Sequence, residues 1–290
     1  YKDAPSDLIF DEFDQELFKG HSLGNDILGT IQQVKSINRS DVISFVKKHY
    51  VPEKMVISSV GNYSLKKLVN YLETYFEDSS DFVQTKKRNI PKLVSPKNKI
   101  LKKELNQSHT ILGGRGCSAT HPFKNSMLLV NNLLGGPAMN SRLNLNIRER
   151  YGLTYMLESN CAIYSDCGSF SIYFATDPKS TSRVEALVKK ELIKLCNNSL
   201  GTIQLSQSKK QVKGHLVISM ESNLGVMLSN GKSKLLFNKV DTLDEILEKF
   251  ENFMMDFSMR DVNEYLSKSQ NRFELEQREK RVMRGDFKLV

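Results

Sequence analysis

The sequence has no run approaching the roughly 20 consecutive apolar residues that a membrane-spanning helix needs, and no charged-then-apolar leader opens it. No membrane span is expected. Its four cysteines, Cys117, Cys161, Cys167 and Cys196, lack C-x-x-C spacing and are too few to staple 290 residues. Buried reduced thiols are expected, with a cross-strand pair of Cys161 and Cys167 as the lesser alternative. The basic excess, 42 Lys+Arg against 33 Asp+Glu for a net +9, is scattered along the chain. Its densest stretches, Lys86-Lys87-Arg88, Lys209-Lys210 with Lys213, and Arg278 with Lys280-Arg281, have no interleaved aromatic rings on which bases could stack. Nucleic acid is therefore not an expected partner. An initiator Met is also lacking at Tyr1, so a preceding segment is expected; the compartment is left open, with the cytoplasm favoured.

A hydrophobic content of 39% over 290 residues suffices for a substantial core. Leu8, Ile9, Phe13 and Leu17 recur at helical spacing and predict a helix over 6–18. Ser40 and Asp41 introduce a second helix, Met55–Val60 reads as a short strand, and Leu65, Leu68, Val69, Leu72 and Phe76 form the apolar stripe of a third helix. Residues 79–98 are polar and basic, contain Pro91 and Pro96 and follow neither period, as an interdomain linker does. Beyond them come strand-like runs at 100–105 and 110–112, then a helix over 122–134 stopped by Gly135-Gly136-Pro137. A helix over 141–150 leads to a hairpin of 154–164 and 169–175, and helical patterns follow over 184–195, 203–236, 243–253 and 260–268. The class is α+β.

A faint repeat runs through these elements. The Asp41-Val42 helix start resembles Asp261-Val262 with a displacement of 220 positions, Ile27-Leu28 answers Ile246-Leu247 at 219, and Gly61 answers Gly285 at 224. Displacements this consistent imply two homologous domains, the first incomplete: 1–78 the tail of the first, 79–98 the linker, 99–290 the second. By the same offset about 110 residues of the first copy precede Tyr1.

Several motifs together resemble the pitrilysin/insulinase (M16) zinc metallopeptidases, which include the mitochondrial processing peptidases. In the first part they are Asp7-Leu8-Ile9-Phe10-Asp11, His21-Ser22-Leu23-Gly24-Asn25, Ile27-Leu28-Gly29 and Tyr50-Val51-Pro52. In the second they are Leu134-Gly135-Gly136, Ser141-Arg142-Leu143 and Arg148-Glu149-Arg150-Tyr151-Gly152-Leu153-Thr154-Tyr155. The resemblance implies two homologous α+β domains, each an antiparallel or mixed sheet packed with helices. It also implies peptide hydrolysis in a chamber between them.

Family peptidases carry an Arg and a Tyr seven positions apart, and Arg148 and Tyr155 keep that spacing. The resemblance gives Tyr155 the role of donating to a developing oxyanion and Arg148 that of holding a substrate backbone carbonyl. The family's H-x-x-E-H zinc motif does not occur here, and none of His21, His49, His109, His121 and His215 has another histidine within four positions. Zinc is thus expected in the whole protein and not in this chain, which is expected to be inactive alone. His109 and His121 carry no ligand assignment. The implied partners are a peptide substrate, the missing N-terminal segment and a homo- or hetero-dimer mate. Non-catalytic subunits of the processing peptidases carry a long glycine-rich loop before Ser-Arg-Leu, and only Gly135-Gly136 precedes it here, which favours the catalytic type. The alternative is a peptide-binding or assembly subunit of the same fold without hydrolysis.

Overall fold

The computed structural model describes residues 4–76, 89–252 and 277. Two compact units divide the chain. The first joins Tyr1–Gly24 to Pro91–Lys213 and Leu247–Val290; the second joins Asn25–Ile90 to Gly214–Ile246.

In the first unit, β1 (Ser108–Arg115), β2 (Thr154–Ile163) and β3 (Gly168–Thr176) form an antiparallel sheet in the order β1-β3-β2. The expected hairpin is present, and the expected run at 110–112 lies within β1. The central β3 is paired at both edges and covered on both faces: Ile172 and Phe174 point to one side and Tyr173 to the other, all three buried. Helix α1 (Pro5–Leu17) lies over the Tyr173 face, the Phe10 and Tyr173 rings standing 5.4 Å apart. The opposite face meets α5 (Lys124–Gly135), a π-helical segment (Asn144–Glu149) and α6 (Thr181–Asn197). Leu134, Leu143, Ile147, Leu157, Ile172, Phe174, Val184 and Val188 close into one core there. Burial at about 25 cal/mol per Å² of apolar surface makes this cluster the main stabilising element of the unit.

The second unit holds α2 (Ile31–Ser36), α3 (Arg39–His49), α4 (Leu65–Glu73) and α8 (Asn223–Phe237), and the boundary between units falls within α7 (Thr202–Glu221). A further helix covers 243–252. The expected second helix exists, but its cap is Asn38 instead of Ser40. The Asn38 side chain accepts from Ser40 N and Asp41 N, while Asp41 accepts in return from Asn38 N at 3.0 Å.

Two expected strands need correction. Met55–Val60 forms no strand, since its extended backbone has no neighbouring strand among the described residues to complete a ladder. Residues 100–105 are likewise unpaired and their apolar side chains exposed, the sheet beginning only at Ser108. The expected apolar stripe of α4 is present, but none of the described residues of the second unit is buried, and no sheet among them gives its helices a face to pack on. Of the cysteines, all are free; Cys167 is buried, Cys117 and Cys161 half-buried, and Cys196, expected inside, is exposed. The expected helix over 260–268, Gly285 and the first half of the expected linker, 79–88, lie outside the described residues.

The described residues thus have the expected α+β class, helices layered on a small antiparallel sheet. Among them no helix is long and apolar enough to cross a membrane.

Candidate functional site

The Ser141-Arg142-Leu143 motif opens the π-helical segment, and each residue has a separate task. Leu143 is fully buried in the core. The Ser141 hydroxyl accepts from Asn144 Nδ2 at 2.8 Å, bracing the first turn. Arg142 Nη2 donates to Glu191 Oε2 at 3.4 Å on α6. A π-helix is uncommon and recurs at functional sites, where side chains hold the wider turn in place. Here Leu143 and Ile147 anchor it inward, which leaves Arg148 facing solvent.

The segment ends by a backbone bond from Gly152 N to the Arg148 carbonyl at 2.8 Å. Gly152 has φ +61°, a left-handed conformation that side chains with a Cβ disfavour, and it turns the chain into β2. The Thr176 hydroxyl then bonds the Leu153 carbonyl and fixes the strand's first residue beside the end of β3.

Tyr155 occupies a β-bulge. Thr154 pairs with Thr176 and Met156 with Ala175, so Tyr155 is the extra residue between them. A bulge re-aims a side chain that strict alternation would otherwise place. Thr154 and Leu157 point inward, whereas Tyr155 is 68% exposed. The two residues predicted from the sequence, Arg148 and Tyr155, are therefore both held outward on one short connection with buried anchors on either side.

An unpredicted feature adjoins them. The guanidinium groups of Arg150 and of Arg183, near the start of α6, each stand 5.5 Å from the centre of the Tyr151 ring. Such contacts draw cations to the negative ring face and hold positive charge beside Arg148. The sequence showed Arg150 and Tyr151 but not that Arg183, 32 positions later, joins them. Glu191 was also missed. Its signal was legible, a charged residue within the apolar stripe Val184, Leu187, Val188, Leu192 and Leu195 of α6.

The histidines set aside as ligands have other partners. His109 Nδ1 lies 2.8 Å from the buried Tyr173 hydroxyl, and burial lowers the His109 pKa from its ordinary value. Tyr173 is pushed up, first by burial and then by Glu158 and Asp7. His121 Nδ1 accepts from Phe123 N at 3.1 Å. Among the described residues no group of three His, Cys, Asp or Glu is arranged to hold a metal.

Comparison with known proteins places this geometry in a family. The sequence model described as the peptidase M16 inactive domain matches residues 36–212. The chain is 34% identical over 250 residues to the uncharacterized zinc protease YmxG of Bacillus subtilis, covering 86% of this chain and 60% of that protein. It is 26% identical to an uncharacterized zinc protease of Streptomyces coelicolor, covering 88% of this chain and 57% of that one. Among solved structures, a chain of complex III2 from Candida albicans superposes with a TM-score of 0.72 at 18% identity, covering 85% of this chain and 60% of that one. The peptidase M16 inactive domain from Pseudomonas fluorescens gives 0.64 at 19%, covering 88% and 59%. These structural likenesses show the fold alone. The chain spans about 60% of the length of the relatives it matches. From the length of the sequence match and the agreement in fold, the chain belongs to the peptidase M16 family, through the region that the family model names its inactive domain.

Proposed function

We propose that the full-length protein containing this chain is an M16-type zinc metalloendopeptidase that cleaves unfolded peptides in a chamber between two homologous domains. Residues 99–290 supply the second domain of that chamber, residues 1–78 the tail of the first, and residues 79–98 the linker. This division concerns homology, which differs from the compactness that groups α1 with the sheet. In this reading zinc is held by residues outside this chain, as the names of the relatives suggest, and the chain alone is inactive.

The observation that carries the reading is the outward presentation of Arg148 and Tyr155 on a connection whose neighbours Leu143, Ile147 and Leu157 are buried. A large aromatic left in solvent on a bulge gains little stability there, which favours a binding role. The Arg148 guanidinium, with five donors in a planar fork, holds a backbone carbonyl of an extended peptide. The Tyr155 hydroxyl donates to the oxygen on which negative charge develops as the peptide bond is attacked, a donor role of large catalytic weight.

The test uses the full-length protein and an unstructured peptide with a fluorophore and quencher at its ends. Tyr155→Phe is expected to lower kcat by about 10²-fold, as loss of an oxyanion donor does. Arg148→Ala is expected to raise KM, since it removes an interaction present before the transition state. Unchanged cleavage in both variants sinks the proposal. Peptide binding without turnover in the zinc-supplied wild type supports the second reading, a peptide-binding or assembly subunit in a homo- or hetero-dimer. The family match to an inactive-type domain is what keeps that reading open.

A further inference from the structure

Glu191 is 4% exposed on α6 and receives three donors. Its Oε2 accepts from Arg142 Nη2 at 3.4 Å and from Asn146 Nδ2 at 3.1 Å, and its Oε1 accepts from Lys194 Nζ at 2.5 Å. A buried carboxylate is costly unless it is paired and bonded, and this one is satisfied from two elements at once. Lys194 lies on Glu191's own helix, so it neutralises charge without fixing anything else. Arg142 and Asn146 lie on the other side, at the entry and in the middle of the π-helical segment that carries Arg148.

Residues four and five apart share a face of a π turn, so Arg142, Asn146 and Ile147 point toward α6 and the core together. Arg148 is the next residue and is exposed. Rotating the segment about its axis, or letting the turn revert to the tighter α form, would break the bond from Asn146 to Glu191 and carry Arg148 with it. Leu143 and Ile147 resist that rotation by apolar packing, which is non-directional. The bonds to Glu191 are directional and set the phase.

We infer that Glu191 is a positioning residue that, through Arg142 and Asn146, fixes the helical phase of the π segment and so the direction in which Arg148 is offered to a peptide. The inference rests on the peptide-holding role of Arg148 proposed above. Lys194, on the solvent side of the carboxylate, completes the charge balance and has no part in the positioning.

The test uses Glu191→Gln, which keeps the shape and one acceptor oxygen, and Asn146→Ala, which removes one arm without stranding a charge. Both are made in the full-length protein, alone and combined with Arg148→Ala. The readouts are kcat and KM on the quenched peptide, the affinity for an uncleaved fluorescein-labelled unstructured peptide, and the thermal midpoint. Glu191→Gln is expected to raise KM and weaken affinity by about tenfold with kcat nearly unchanged, since small misplacements of a positioning group cost one to two orders of magnitude. Asn146→Ala moves the same quantities in the same direction by less. In the Arg148→Ala background neither adds a further loss, because residues acting through Arg148 have nothing left to orient. A lower midpoint with wild-type KM and affinity, or a full additional loss on top of Arg148→Ala, overturns the positioning role and leaves the proposed function standing. Wild-type cleavage and affinity in Arg148→Ala itself overturns the peptide-holding role proposed for Arg148, and the positioning role with it.

Discussion

Replacing Gly135 by Ala adds one methyl group at the end of α5, where the structure leaves no room for it. An ideal Cβ there would stand 2.6 Å from Ser159 N and 3.1 Å from Glu158 C. Both atoms are backbone of β2, which is hydrogen-bonded along its length to β3, and the Ser159 hydroxyl additionally bonds the Asn131 carbonyl of α5 at 2.9 Å. The strand therefore cannot retreat without disturbing either the ladder or that bond. Helix propensity alone would favour Ala by up to about 1 kcal/mol, less at a terminal position. Overpacking a close contact costs about 1–3 kcal/mol, so the net expectation is a loss of about 1–2 kcal/mol. Gly214→Ala, within α7, is the matched control: a Cβ there meets nothing within 4 Å, and the expected change is a gain of about 0.5–1 kcal/mol. Urea denaturation of the two variants and the wild type, followed by circular dichroism, reads both signs. A Gly135→Ala variant as stable as Gly214→Ala would refute the close seating of α5 on β2.

Phe174→Ala, at the fully buried centre of β3, should cost about 3–5 kcal/mol, read as a fall in the denaturation midpoint; a loss below about 1 kcal/mol would contradict the core assignment. Burial first, and Asp11 second, raise the Asp14 carboxyl above its ordinary 3.8. The raised value counts against the folded state where the carboxyl is ionised; that cost fades as pH falls through the folded pKa and is absent below 3.8. Asp14→Asn should accordingly raise the thermal midpoint at pH 7 with no gain below pH 3.8, and an equal gain at both pH values would contradict the assignment.

Much of the first unit was legible in the sequence because its signals are local. The period of Phe170, Ile172 and Phe174 and the turn before Gly168 define the hairpin, and Gly135-Gly136-Pro137 ends α5 where the backbone can no longer continue it. The strands expected at 55–60 and 100–105 failed for a nonlocal reason. An apolar run has strand potential, but a strand exists only where a neighbour completes its hydrogen bonds, and the sequence does not say which runs find one. The amphipathic stripe of α4 shows the same limit, since periodicity fixes which side chains share a face and not whether anything covers it.

At the candidate site the division is sharper. The seven-position spacing of Arg148 and Tyr155 was readable directly from the residues. Their common exposure was not, because it depends on a π turn and a bulge, each an extra residue in a regular element that no hydrophobic period announces. Nor could the sequence join Arg142 to Glu191 across 49 positions, or Arg183 to Tyr151. The sequence by itself determined the family, the class and the elements whose order is written in nearest-neighbour chemistry. Only the tertiary structure decided which charges meet and which way Arg148 and Tyr155 face, because directional bonds between distant segments form only after the core has brought those segments together.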